Sequence, residues 1–391
     1  MTPSAPRGFE FLHRTRVVVG SGTWLNSLTC ARAAGKRVLL VSGAQTLSRL
    51  GLEERLLEEA IRVGLAIERF VVPREPDVAL ADQAASLARS SGAEVVLGVG
   101  GGSALDVAKA AAALATNPGS ARDYLEGLPG PGPRALSVPP LPLVCVPTTA
   151  GTGAEVTKNA VFQVEELRVK RSMRSDLLFP ESAFVDPSLS ARAPLAVRAG
   201  TGFDALTHLA EAFCSSKASP FTDALAQDGI PRAVRGLRAL ASGSAGDSEA
   251  LDLAICGTLG GMCLANAGLG AAHGLIAPLG GLYPNIPHGA GLACLLPATL
   301  TVNEAATRRE PRAHGRLVEL ARLIGGSSAS VASVVQELSA LRVGLSLPGL
   351  ASYANVDVAR VIESPSGSLK TNPVPLDPSE LRAILELALG G

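Results

Sequence analysis

The chain has 391 residues, 47% of them apolar and 18% charged, and its 35 Lys and Arg balance 35 Asp and Glu. That length suits about two to three domains, and the apolar fraction excludes disorder, which needs low hydrophobicity and high charge. A neutral chain with 3% aromatics has neither a field that attracts nucleic acid or an anionic membrane nor stacking platforms for single strands. The six cysteines, Cys30, Cys145, Cys214, Cys256, Cys263 and Cys294, form no CxxC pair and sit in apolar runs. Free thiols in a reducing compartment are therefore expected. The N-terminal stretch lacks the apolar core of a signal peptide. No run of about eighteen apolar residues without charge stands out, so no membrane span is expected. A cytoplasmic location is the expectation.

The first half alternates between two periods. Apolar, β-branched runs at 17–19, 37–41, 67–72, 94–99 and 141–146 predict strands. Between them, 46–64 and 77–92 carry helical spacing; in the second, Val78, Leu80, Ala81, Ala84, Ala85, Leu87 and Ala88 fall near one face. Asp77 is placed to cap that helix. Strands alternating with helices predict βαβ units, and wholly apolar strands predict a mostly parallel sheet covered on both faces. The segment 127–142 is a Pro/Gly-rich loop before a strand. After about Pro194 strand signals fade and helical patterns follow one another, the last opened by Asp377 and Pro378. The reading is an α/β domain over 1–190 and an all-α domain over 191–391, with a ligand cleft between them.

Three constellations carry chemistry. GVGGGSALDVAKA follows a strand and opens a helix predicted near Ala104. Gly100, Gly101 and Gly102 let backbone approach a ligand, Ser103 adds a hydroxyl, and a helix start suits a phosphate. By itself this is equally a tight turn, and its spacing is not GxGxxG. In CVPTTAGTGAEVTKN, Thr148, Thr149, Thr152 and Thr157 cluster with Gly151 and Gly153 directly after another strand. Two such loops at strand ends of one sheet mark the usual ligand side of an open α/β sheet. Third, Asp204 and His208 lie four apart on one helix face, and glycines flank His273 and His288, which would permit close approach. One carboxylate and three imidazoles suit a divalent first-row ion such as Fe(II) or Zn, although a lone histidine is more often a core or surface residue. His13 and His314, beside arginines, read as surface positions.

The segments FEFLHRTRVVVGSG, GGGSALDVAKA, PTTAGTGAEVT, KRSMRS, PESAFVDPSL, DALTHLAEAF, HGLIAPLGGLYPNIPHG and LKTNPVPLDPSEL together resemble the iron-containing (group III) alcohol dehydrogenases nearly end to end. The resemblance implies a Rossmann-like N-terminal sheet, a dehydroquinate synthase-like fold, and a homodimer. It implies hydride transfer between NAD or NADP and a small alcohol or aldehyde. It places Gly100, Gly101, Gly102 and Ser103 on the cofactor pyrophosphate. Thr148, Thr149 and Thr152 would line the cofactor pocket with Val156 or Thr157 close by, and Lys170 would contact a cofactor ribose. Asp204, His208, His273 and His288 would be the metal ligands, and Asp106 and Lys109 structural.

Four positions depart from the family pattern. Gly43 stands where an acidic residue often bonds the adenine ribose, Ala277 replaces a relay histidine, and Glu75 replaces a common Asn. The stretch before His288 is one residue longer near Tyr283–Asn285. A metal-independent maleylacetate reductase-type enzyme, a dehydroquinate synthase-like lyase and a non-catalytic dinucleotide-binding homologue are the alternatives. The four-residue metal set and the scarcity of basic residues in the helical half weigh against them.

Overall fold

The structure is a computed structural model that describes residues 8–363 and 366–390. In chain order it places β1 (Arg16–Val19), α1 (Asn26–Ala34), β2 (Arg37–Gly43), α2 (Thr46–Leu50), α3 (Glu53–Arg62), β3 (Ala66–Val72), α4 (Val78–Ser90), β4 (Val95–Gly100) and α5 (Gly102–Thr116). There follow β5 (Leu143–Pro147), β6 (Asn159–Val164), β7 (Val169–Arg174), β8 (Ser182–Val185) and α6 (Pro187–Ser190). The remainder is helical: α7 (Leu195–Cys214), α8 (Pro220–Ser242), α9 (Asp247–Ala267), α10 (Ala271–Leu282), α11 (His288–Thr307), α12 (Pro311–Gly325), α13 (Val331–Gly344), α14 (Val358–Ile362) and α15 (Pro378–Gly390).

Six strands form one sheet in the order β1-β8-β5-β4-β2-β3, every neighbouring pair parallel. Alternation along the strands divides their side chains between two cores. Leu39, Val41, Val96 and Cys145 pack with α4 and α5, while Val38, Leu40, Val95, Leu97 and Val144 pack with α1, α2 and α3. Both faces are apolar because both are covered; each fully buried Leu or Val contributes roughly 1.5–3 kcal/mol. The helical half has its own core around α7, which is buried along almost its whole length between α8, α9, α11 and α12.

Some expectations needed correction. The helix read over 46–64 is two helices, because Gly51 takes φ +61° and ends α2, a conformation that L side chains resist. The helix expected to start near Ala104 starts at Gly102, with Gly101 as its cap. The antiparallel hairpin β6–β7 was not foreseen. β6 alternates in burial with uncharged outer positions, whereas β7 carries Lys170, Arg171 and Arg174 and is half-buried along most of its length. Asp77 caps α4 as expected, accepting from Leu80 N–H at 2.7 Å. α9 is long and apolar enough to cross a bilayer; most of it is buried, packed on α7 and α8.

The DxAK pair of α5 ties that helix to β6. Lys109 is fully buried and donates to Thr157 Oγ1 (2.9 Å) and to the Asn159 carbonyl (2.8 Å), while Asp106 accepts from Val161 N–H at 3.0 Å. Burial pushes the Asp106 carboxyl up to about 6, with Lys109 opposing, and burial also lowers the Lys109 ammonium. All six cysteines are free, five of them buried and Cys30 partly so. His13 and His314 are half-buried rather than on the surface: His13 meets the Phe179 ring edge-on, and His314 Nδ1 lies 3.2 Å from Thr307 Oγ1.

Candidate active site

Helix periodicity puts Asp204 and His208 on one face of α7. α10 then contributes His273 from its first turn, and α11 begins on His288. The glycines beside these histidines serve helix packing rather than ligand approach. A Cβ at Gly289 would stand 2.2 Å from the Gly200 carbonyl oxygen, so α11 crosses α7 backbone to backbone. A Cβ at Gly274 would stand 2.6 Å from Leu369 Cγ. The longer stretch before α11 does not displace His288.

One carboxylate oxygen is the focus. Asp204 Oδ1 lies 3.4 Å from His273 Nε2, 3.6 Å from His208 Nε2 and 3.7 Å from His288 Nε2. The second and third exceed a good hydrogen bond. They match ligands that share one ion: donors 2.0–2.2 Å from a common centre stand about 3.4 Å apart when tetrahedral. Asp204, His273 and His288 each offer an atom within 4.8 Å of the other two. His208 lies outside that set of three and joins it through Asp204 and through its ring, stacked on His273 at 4.5 Å. The donor set, one carboxylate and three imidazoles, fits a divalent cation.

Glu211, one helical turn beyond His208, was missed in the sequence although it lies seven residues from Asp204 on the same face. Its Oε2 is 2.7 Å from His273 Nδ1, and its Oε1 accepts from Ala272 N–H at 2.7 Å. The carboxylate thus caps α10 and fixes the ring so that Nε2 faces Asp204. Burial works against charge on this ring, yet Asp204 and Glu211 on either side hold His273 up to about 9. Burial holds His208, whose Nδ1 has no hydrogen-bond partner among the described residues, down to about 4. Burial of Asp204 is outweighed by the surrounding rings, which keep its carboxyl well below the usual range. Glu211→Gln is expected to weaken divalent-metal affinity by about 10- to 100-fold. If the amide oxygen keeps Ala272 N–H, its NH2 faces Nδ1 and drives the ring proton onto Nε2. Metal titration checks this; unchanged affinity would remove Glu211 from the site.

The second part of the site lies at the carboxyl ends of β2, β4 and β5. Gly100 pairs with Pro147, and a Cβ at Gly100 would stand 3.5 Å from Gly43 N. The turn at Gly101–Ser103 faces the threonine loop: added Cβ atoms at Gly101 and Gly102 would stand 3.3 Å from Thr149 Cγ2 and 3.0 Å from Thr152 Cγ2. Thr148 N–H donates to the Gly100 carbonyl at 2.9 Å. Gly43, Gly100, Gly101, Gly102, Ser103, Thr148, Thr149 and Thr152 are therefore brought together.

Thr157 is not among them. It is buried, and its hydroxyl is bonded to Lys109. Gly151 and Gly153 serve packing instead: Cβ atoms there would stand 2.3 Å from Thr201 O and 2.4 Å from Gly261 Cα. Lys170 reaches the cleft from β7 beside Gly280 of α10, and its ammonium is 2.8 Å from Glu75 Oε2. Glu75 is partly desolvated, but Lys170 holds its carboxyl below the ordinary range, with His288 and Ser103 adding to the effect. α10 presents Ala277 one turn beyond His273.

This geometry agrees with the comparisons. The profile of the family described as iron-containing alcohol dehydrogenase matches residues 14–187, and that of the Fe-containing alcohol dehydrogenase family, C-terminal, matches residues 198–381. The chain belongs to the iron-containing alcohol dehydrogenase family. It is 35% identical to long-chain-alcohol dehydrogenase 1 of Geobacillus thermodenitrificans over 92% of this chain and 91% of that one. It is 34% identical to lactaldehyde reductase of Escherichia coli over 74% and 73%. Among solved structures, a 1,3-propanediol oxidoreductase superposes with a TM-score of 0.85 at 30% identity, covering 98% of this chain and all of the other. The protein is an oxidoreductase of this family, whose members use a divalent metal and a nicotinamide dinucleotide.

Proposed function

We propose that Asp204, His208, His273 and His288 hold divalent iron, with zinc as the alternative ion, and that the glycine turn and threonine loop hold NAD or NADP against it. The reaction is reversible hydride transfer between the nicotinamide and a small alcohol or aldehyde. The observation that carries this reading is the focus of three imidazole nitrogens on one buried carboxylate oxygen, beside two facing turns at strand ends. When bound, the cation supplies Lewis-acid polarisation of a substrate oxygen and the dinucleotide supplies the hydride chemistry.

The chain does the rest. Asp204 is the only anionic side chain in the set, so these four residues would leave a bound dication net positive and able to favour an anionic oxygen. Glu211 keeps the His273 lone pair directed inward. Gly101 and Gly102 let the turn pack closely against Thr149 and Thr152, and the N–H groups at the start of α5 would meet a diphosphate bound at that turn. With Ala277 where the family often has histidine, α10 offers no side chain at that position to accept the alcohol proton. A metal-independent reductase or a non-catalytic homologue would have no use for this cluster.

Domains at 1–190 and 191–391, a homodimer and a cytoplasmic location belong to the same reading. The six free thiols support a reducing compartment, and β1, an edge strand of the sheet, offers unpaired backbone to a second copy. Alcohols and aldehydes assayed with both dinucleotides, with and without added Fe(II) or Zn, test the function. Protein that binds neither metal nor dinucleotide and turns over no alcohol would sink it.

Gly101→Val is expected to weaken dinucleotide binding by about 5- to 100-fold while the fold survives, since overpacking costs 1–3 kcal/mol and its branches crowd Thr149. Unchanged affinity in fluorescence titration would place the diphosphate elsewhere.

A further inference from the structure

We propose that Arg49, held against Gln45 at the carboxyl end of β2, receives the adenosine 2′-phosphate and makes NADP(H) the preferred dinucleotide. The proposal rests on the dinucleotide reading above and concerns which dinucleotide that cleft takes. β2 ends at Gly43, adjacent to the glycine turn through Gly100. A strand end that selects NAD presents a carboxylate to the ribose hydroxyls, and an arginine nearby accommodates the extra phosphate of NADP.

Here the strand end has no acid: Gly43, Ala44, Gln45 and Thr46 follow one another. One turn on, Arg49 Nη2 donates to Gln45 Oε1 at 2.5 Å. Both side chains are exposed, so the guanidinium rests on a neutral group one helical turn past the end of β2. Among the described residues Arg49 has no carboxylate partner. The acids of the neighbouring β3–α4 loop are already engaged: Asp77 pairs with Arg74 and Glu75 with Lys170. A dianionic phosphate at this place would meet Arg49, the Gln45 amide and the Thr46 hydroxyl, without a carboxylate to repel it. Charge-assisted bonds of this kind are the strong ones.

Ser42 is not part of the receptor: it is fully buried, and strand alternation turns it to the sheet face opposite Gly43. Gly43 is not needed for a turn, because its φ is not positive. What its missing side chain leaves is space filled by Thr46, whose Oγ1 would stand 2.6 Å from a Cβ at position 43.

Dissociation constants of the metal-loaded protein for NADPH and NADH, and for 2′,5′-ADP against 5′-ADP, test the proposal by fluorescence titration and calorimetry. The expected result is tighter binding of NADPH and of 2′,5′-ADP. Arg49→Gln should cost NADPH and 2′,5′-ADP about 10- to 100-fold and leave NADH within twofold. Gly43→Asp, with Thr46 rotated aside, should reverse the preference. Equal affinities for the two dinucleotides that Arg49→Gln leaves equal, or tighter binding of NADH, would overturn the proposal alone. Failure of the unaltered protein to bind either dinucleotide would overturn the cofactor reading with it.

Discussion

With Asp204 replaced by Asn, purified protein is expected to retain almost no divalent metal and to lose about three orders of magnitude in kcat/KM. Asp204 Oδ1 is the atom on which His208, His273 and His288 all converge. It is also the one anionic donor among them. Asn preserves size and helix position but offers a neutral, weaker ligand, and its NH2 can turn toward the rings as a donor. Lewis-acid stabilisation is worth several kcal/mol, and each 1.36 kcal/mol is tenfold in rate, which sets the magnitude. Elemental analysis of protein purified with added Fe(II) or Zn, followed by assay, reads the result. Full metal occupancy in Asp204→Asn would mean that the ion is held elsewhere.

Gly153→Ala should destabilise the protein by about 2–5 kcal/mol and weaken dinucleotide binding as well. Two costs add. Gly153 takes φ +62°, where a Cβ costs roughly 1–2 kcal/mol, and overpacking adds about 1–3 kcal/mol. The collision is with main chain, not with a side chain that can rotate: the new Cβ would stand 2.4 Å from Gly261 Cα and 2.7 Å from Gly261 N. The loop would have to leave α9, and Thr149 and Thr152 would move with it. Urea unfolding and NADPH titration of the same preparation check both effects. A variant as stable as the parent would show that the loop can yield without cost.

The two effects separate the halves of the site. Asp204→Asn should spare dinucleotide affinity, because no metal ligand lies on the turns at Gly101 and Thr149. Gly153→Ala should spare metal affinity to the extent that α9 stays in place beside His208, where a Cβ at Gly260 would stand 3.1 Å from His208 Cβ.

Local pattern in the amino-acid sequence determined much of this protein: a parallel sheet followed by a helical half, the cap at Asp77, the glycine turn at the end of β4, and the i,i+4 pair Asp204 and His208. Each depends on residues within a few positions of one another, where period and propensity operate. Glycine-rich strand ends and the scarcity of histidines also singled out both loops and the two distant histidines, and the resemblance across eight motifs assigned their roles and added Lys170. Tertiary structure alone decided the rest. Glu211 looked like any helix carboxylate until α10 brought His273 Nδ1 to it across 62 positions. Thr157 looked like a cleft hydroxyl until Lys109, 48 positions away, bonded it in the core. Gly289 read as room for a ligand, and Gly151 and Gly153 as part of a ligand loop, yet all three are room for another backbone. Which neighbour a small residue admits is set by how helices cross, and that is a property of packing between segments far apart in the chain.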